Sequence, residues 1–169
     1  MNSSISNDFE QQSVVRNLDF LLRTEELQVV LIASDYAKEP LTETVLYLAK
    51  QLQAIYQRRF LVLDFGDLYK NSDSSYQNIN ELEVIKDNAE TNISKLKIYI
   101  EECRKHYDQV FIIPHIKLNR EETTLPSLDY DGAILLRTKK SSNPTSKKVI
   151  TNKILDAQIK IKAILDIGV

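Results

Sequence analysis

The stretch Leu27-Gln28-Val29-Val30-Leu31-Ile32-Ala33, followed by Ser34-Asp35-Tyr36-Ala37-Lys38-Glu39-Pro40-Leu41-Thr42-Glu43, decides the fold. Its first part is a continuous apolar run of strand length, bounded by charged and turn-forming residues. Such a run predicts a strand buried on both faces, the kind found inside parallel sheets. Its second part leads into 40–56, where Val45, Leu48, Leu52 and Ile55 recur at helical spacing and predict an amphipathic helix. Pro40 suits the first helical position, where a missing N–H costs nothing. A buried strand that turns at once into a helix is the opening of a βαβ unit.

The same alternation extends in both directions. Upstream, Val14, Val15, Leu18, Leu21 and Leu22 predict a helix over 10–23, behind a polar, flexible arm at 1–8. Downstream, Phe60-Leu61-Val62-Leu63-Asp64 predicts a second buried strand, ended near Gly66. The polar run 69–80 reads as a loop, and 89–106 as a helix with Ile93, Leu96 and Ile100 on its buried side. Strands follow at 109–113, 131–136 and 161–165, with a helix over 143–159 between the last two. This pattern predicts an α/β protein: a mainly parallel sheet of about five or more strands with helices on both faces, in three α/β/α layers.

Composition narrows the function. The 169 residues favour one domain, 9–169, and are enough to bury a core without cross-links. Lys and Arg number 22 against 24 Asp and Glu, so the net charge is -2 and a general nucleic-acid-binding role is disfavoured. One Cys excludes an internal disulfide. No signal peptide is visible, and the apolar runs are too short to cross a membrane, which points to a cytoplasmic protein. Gly is scarce, at 3.

Several segments, in order, resemble the P-loop ATPase domain of bacterial tyrosine autokinases that act in capsule and exopolysaccharide assembly. These kinases belong to the deviant-Walker ATPases, with the septum-positioning and partition proteins. Val15-Arg16-Asn17-Leu18-Asp19-Phe20-Leu21 is similar to the family's pre-domain helix, RTNLQFL. Val29-Val30-Leu31-Ile32-Ala33-Ser34 is similar to the strand before its phosphate loop, and Leu48-Ala49-Lys50-Gln51-Leu52 to its LAxxL helical turn. Arg59-Phe60-Leu61-Val62-Leu63-Asp64 resembles the strand that ends in the second Walker A motif, VLLIDAD. Tyr107-Asp108-Gln109-Val110-Phe111-Ile112 resembles the strand before the Walker B aspartate, YDYVIID. Asp131-Gly132-Ala133-Ile134-Leu135-Leu136 resembles DGVVLV, and 161–169 the closing VLGVVLNGV. The resemblance covers about 7–169 and implies a P-loop NTPase-like fold.

At the catalytic positions the chain departs from that family. A P-loop wraps phosphate because glycines let backbone N–H groups point inward while a Lys supplies charge. Where the family has GEGKST, this sequence has Lys38-Glu39-Pro40-Leu41-Thr42-Glu43. Lys38 and Pro40 carry side chains where the backbone must approach phosphate, and Pro40 also removes a donor. Leu41 replaces the phosphate-binding Lys. Thr42 keeps the hydroxyl that would meet magnesium. Asp35, Glu39 and Glu43 crowd the turn; carboxylates suit a helix N-terminus but repel a triphosphate. Asp64 survives in the second Walker A position, Phe65-Gly66-Asp67 replaces the ADL continuation, and Asp67 is a candidate substitute by a one-residue shift. The Walker B aspartate aligns with Ile113, which cannot hold Mg²⁺ through water, and phosphoryl transfer without that metal loses its main charge stabiliser.

Two kinase features are also missing. The last tyrosine is Tyr130, so no tyrosine-rich tail is read, and the ExxRxxR motif of the oligomerisation helix aligns with Phe9, Gln12 and Val15. Other reactive residues have plainer readings. Without partners, Asp64 is a strand-end acceptor and Thr42 a first-turn hydroxyl. His106 and His115 flank the third strand without a third ligand. Cys103 has no readable His/Asp arrangement and is a small core or surface residue. Arg137-Thr138-Lys139-Lys140 with Lys147 and Lys148 is a basic patch: a solvated face, or a contact for an acidic partner or lipid headgroups. Tyr69 and Tyr76 read as exposed loop tyrosines before phosphoacceptors.

The sequence therefore predicts a catalytically inactive relative of these kinases, with no metal and no cofactor. It would serve as an interaction or regulatory subunit in bacterial exopolysaccharide synthesis and export. Its partner would be the cytoplasmic part of a polysaccharide co-polymerase or an active kinase homologue, placing it peripherally at the inner membrane face, as a homo- or hetero-oligomer. The alternatives are residual nucleotide binding through a rearranged loop using Lys38, Thr42 and Asp64, or a subunit that completes a composite site with an active ATPase.

Overall fold

The computed structural model describes residues 2–34, 41–64, 89–114, 125, 127–138 and 144–167. The elements run α1 (Asn2–Thr24), β1 (Val29–Ser34), α2 (Leu41–Tyr56), β2 (Phe60–Asp64), α3 (Ala89–His106), β3 (Gln109–Ile113), β4 (Gly132–Thr138), α4 (Pro144–Asp156) and β5 (Ile161–Ile167). The strands form one five-stranded sheet in the order β2-β3-β1-β4-β5, and every pairing is parallel. β1 is central, and all of its residues are buried.

The strands alternate their side chains between two apolar layers. Val29, Leu31 and Ala33 of β1, with Val110, Ile112, Ala133 and Leu135, pack against Leu96, Ile100 and Cys103 of α3 and Ile150 and Ile154 of α4. Val30 and Ile32, with Phe111, Ile113, Ile134 and Leu136, pack against Val15, Leu18 and Leu22 of α1 and Val45, Leu48, Ala49 and Leu52 of α2. This is the expected three-layer arrangement. The run at 29–33 is apolar throughout because both of its faces meet helices.

Strand ends shift by one or two residues, and two helix boundaries differ from the sequence reading by more. α1 begins at Asn2, so 2–8, expected as an arm, is helical backbone. Val15, Leu18 and Leu22 anchor the helix on the sheet, and lengthening an existing helix requires far less than nucleating one. α4 ends at Asp156, short of the expected 159. There the Ile159 N–H bonds the Ile154 carbonyl at 3.1 Å and the Gln158 N–H bonds the Leu155 carbonyl at 2.8 Å, while Gln158 has φ 60°. This is a Schellman cap, and it folds Ile159 back as a buried contact beyond the helix. α1 closes in the same way, with Leu27 N–H on Leu22 O at 3.0 Å and Glu26 at φ 52°. With glycine so scarce, Glu26 and Gln158 occupy left-handed positions that usually fall to it.

Two polar devices tie the layers together, and neither was legible in the sequence. Asp19 of α1 is 1% exposed. Arg58, just before β2, reaches its carboxylate at 2.9 Å, and Arg23 meets it at 3.0 Å. At the opening of β4, the Asp131 carboxylate accepts the amides of Gln28 (2.9 Å) and Val29 (2.7 Å) and Arg104 of α3 (2.9 Å). Gln28 in turn donates to the carbonyls of Arg104 and Tyr107. A charged residue between Leu18 and Leu22 on an apolar helix face was the available signal for Asp19; Asp131 gave none.

Candidate functional site

The carboxyl ends of the parallel strands are where ligands bind in open α/β folds. Here that edge gathers Ser34 from β1, the first turn of α2, Asp64 from β2 and Ile113 from β3. Ser34 and Asp64 are buried, at 8% and 4% exposure. Leu41 opens α2 and packs against the apolar layer shared with α1. The Thr42 hydroxyl donates a hydrogen bond to the Asp64 carboxylate. Asp64 and Ile113 are register partners across the β2–β3 ladder, and Ile113 is 3% exposed.

The structure thus brings together Leu41, Thr42, Asp64 and Ile113. Lys38 and Pro40 lie outside the described residues, as do Asp35, Glu39, Asp67, Tyr69, Tyr76, His115, Lys139 and Lys140. Cys103 is a core residue of α3, and His106 is exposed at the end of the same helix. Within the basic patch, Arg137 is committed to Asp166 on β5 at 2.8 Å, while Lys148 is exposed and Lys147 half-buried. Val15, aligned with the last position of the oligomerisation motif, is buried against the sheet, and Gln12 is exposed.

The chemistry of this edge follows from its donors. A magnesium ion wants hard oxygen ligands in near-octahedral array. Thr42 and Asp64 supply two oxygen-bearing side chains on the α2 side of the sheet. Ile113, beside them, supplies a methyl surface. Leu41 supplies no charge at the head of α2. Among the described residues no group of three or more His, Cys, Asp or Glu side chains comes together in a metal-holding arrangement.

Fold and strand order define the class: an α/β protein with the P-loop NTPase-like architecture. Within that class its fold is similar to that of bacterial tyrosine kinase domains. The VpsO kinase domain superposes with a TM-score of 0.64 at 15% identity, over 98% of this chain and 98% of that one. The kinase domain of the Escherichia coli tyrosine kinase ETK gives 0.64 at 14% identity, over 92% of this chain and 74% of that one. The BceF tyrosine kinase domain gives 0.55 at 13% identity, over 94% and 75%. No protein family's sequence profile matches the chain, and neither does any curated protein. No helix among the described residues is long and apolar enough to cross a membrane.

Proposed function

We propose that this protein keeps the architecture of the tyrosine kinase domains without their phosphoryl transfer, and acts through protein contacts. The observation that carries the reading is Ile113. It is buried beside Asp64, at the strand end where the related kinases are expected to hold a metal-organising aspartate. Leu41 at the head of α2 supports it, because the phosphate-binding charge is missing from that turn. Lys38 and Pro40, in the preceding turn of the sequence, support it on the grounds of phosphate access. We assign no catalytic, metal or cofactor residue.

The role that fits is an interaction or regulatory subunit in bacterial exopolysaccharide synthesis and export. It would partner the cytoplasmic part of a polysaccharide co-polymerase or an active kinase homologue, at the inner face of the membrane. The kinase identity of the similar structures and the resemblance of the segments support this context.

Calorimetric titration with MgATP and MgADP tests the reading. The expected result is no binding at 100 μM nucleotide and no thermal stabilisation. Binding tighter than about 100 μM, roughly -5.5 kcal/mol, would overturn it. One observation favours the second reading, residual nucleotide binding: the Thr42–Asp64 pair is still assembled, and the Thr42 oxygen retains lone pairs for a cation. On that reading MgATP binds and Asp64→Ala abolishes the binding. Copurification with a full-length kinase homologue would instead favour a composite site.

A further inference from the structure

Among the described residues β5 is an edge of the sheet: it pairs with β4 and with no second strand. An edge strand offers unpaired backbone donors and acceptors to any other strand. This one is apolar at Ile161, Ala163, Ile164, Leu165 and Ile167, and Ile164 is 44% exposed. By composition it is the kind of strand on which a second copy of the chain would extend the sheet.

Three features oppose that. The β4–β5 register slips between Ala133 and Ile134, so that Ala133 faces Ile161, Ile134 faces Ala163, and Lys162 is left as an extra residue. The bulged Lys162 crosses Gly132, where a Cβ would stand 2.5 Å from the Lys162 Cγ, and its Nζ meets Glu25 at the end of α1 at 2.8 Å. Asp166, two residues beyond the exposed Ile164, holds a half-exposed charge against Arg137.

The arrangement also removes the one charge match available to a symmetric dimer. If two β5 strands ran antiparallel about Ile164, Lys162 of each would stand opposite Asp166 of the other. Opposite residues interact only when they share a face. Ile164 pairs with Leu135, which belongs to the α3/α4 layer, and Asp166 shares that face. The bulge turns Lys162 toward α1. Each copy would therefore desolvate two charges without pairing them across the interface.

We propose that β5 is a guarded edge, in which the bulge at Lys162 and the charges of Lys162 and Asp166 prevent a second copy of this chain from adding its strand to the sheet.

The test is light scattering on the full chain across a concentration series, with circular dichroism to confirm folding. Lys162→Val/Asp166→Val is expected to gain about twofold or more in mass over wild type. Adding Ile164→Lys to that variant is expected to return it to the wild-type mass. Arg137→Gln breaks the same ion pair but leaves Asp166 on the edge, and should track wild type. A folded double variant with the wild-type mass at every concentration overturns the proposal, as does association that survives Ile164→Lys. If the double variant does not fold, the milder Lys162→Gln/Asp166→Asn removes the same two charges and carries the same expectation, and its failure to associate is equally decisive.

Discussion

Asp64 and Ile113 stand side by side at the carboxyl ends of β2 and β3, paired in register and both buried. Adjacent strands are about 4.8 Å apart, so an acid at 113 would share its surroundings with Asp64. Ile113→Asp should cost about 3–5 kcal/mol, because two buried carboxyls without a cation repel and lack solvation. Millimolar Mg²⁺ should restore part of the loss, while leaving the melting temperature of the wild type unchanged. Thermal melts with and without Mg²⁺ check both arms. A variant insensitive to Mg²⁺ would mean that the two positions do not converge on one cation.

The Thr42–Asp64 hydrogen bond ties the first turn of α2 to the end of β2. Thr42→Val keeps the shape and removes the donor to a buried carboxylate. The expected loss is about 1–3 kcal/mol, read as a lower urea midpoint at an unchanged m-value. Thr42→Ser should lie close to wild type.

Asp19 is held by two arginines of very different exposure, Arg58 at 14% and Arg23 at 62%. Arg58→Met leaves a buried carboxylate short of its main partner and should cost about 3–5 kcal/mol. Arg23→Ala removes an exposed i,i+4 pair and should cost less than about 1 kcal/mol. Chemical denaturation of the two single variants separates these expectations.

Acid sensitivity should centre on Asp131. Burial pushes its carboxyl upward, but hydrogen bonds from Arg104 and from the Val29 and Gln28 amides outweigh that and hold it below the ordinary 3.8. A depressed folded-state pKa gives stability that is fully present above the unfolded value and is lost as pH falls through the folded value. Urea midpoints should hold steady from neutral pH down toward the ordinary carboxylate range and drop below it. Asp108, lowered by the Arg59 side chain and amide, adds in the same direction. Asp131→Asn should be less stable at neutral pH and flatter in acid; an unchanged acid slope would remove Asp131 from this role.

Gln158 sits at φ 60° in the cap that ends α4. A side chain in that region costs about 1 kcal/mol relative to glycine. Gln158→Gly should therefore raise stability by roughly 0.5–1 kcal/mol, despite the extra freedom it gives the unfolded chain. A rise in melting temperature of a few degrees is the readout.

Much of this fold was legible because its signals are local and periodic. The apolar run around Val29–Ile32 and the helical spacing of Val45, Leu48 and Leu52 each name an element from a short window. Their alternation implies parallel strands with helices on both faces. What stayed hidden depends on residues far apart in the chain. Asp131 gives no sign that it will cap the start of β1, and nothing near Asp19 announces Arg58. The sequence places the end of α4 too late because Ile159 is apolar like Ile150 and Ile154, although a left-handed residue at Gln158 has already turned the chain.

The candidate site divides along the same line. Residue types alone established that Leu41 carries no charge, that Pro40 has no N–H and that Ile113 cannot ligate a metal, because these properties belong to the side chains wherever they lie. Only the tertiary structure could place Thr42 on Asp64, set Ile113 beside that same carboxylate, and leave β5 at the rim with its lysine bulged out of register. Those relationships are fixed by strand order and pairing, and pairing is decided by packing between segments that are distant in sequence.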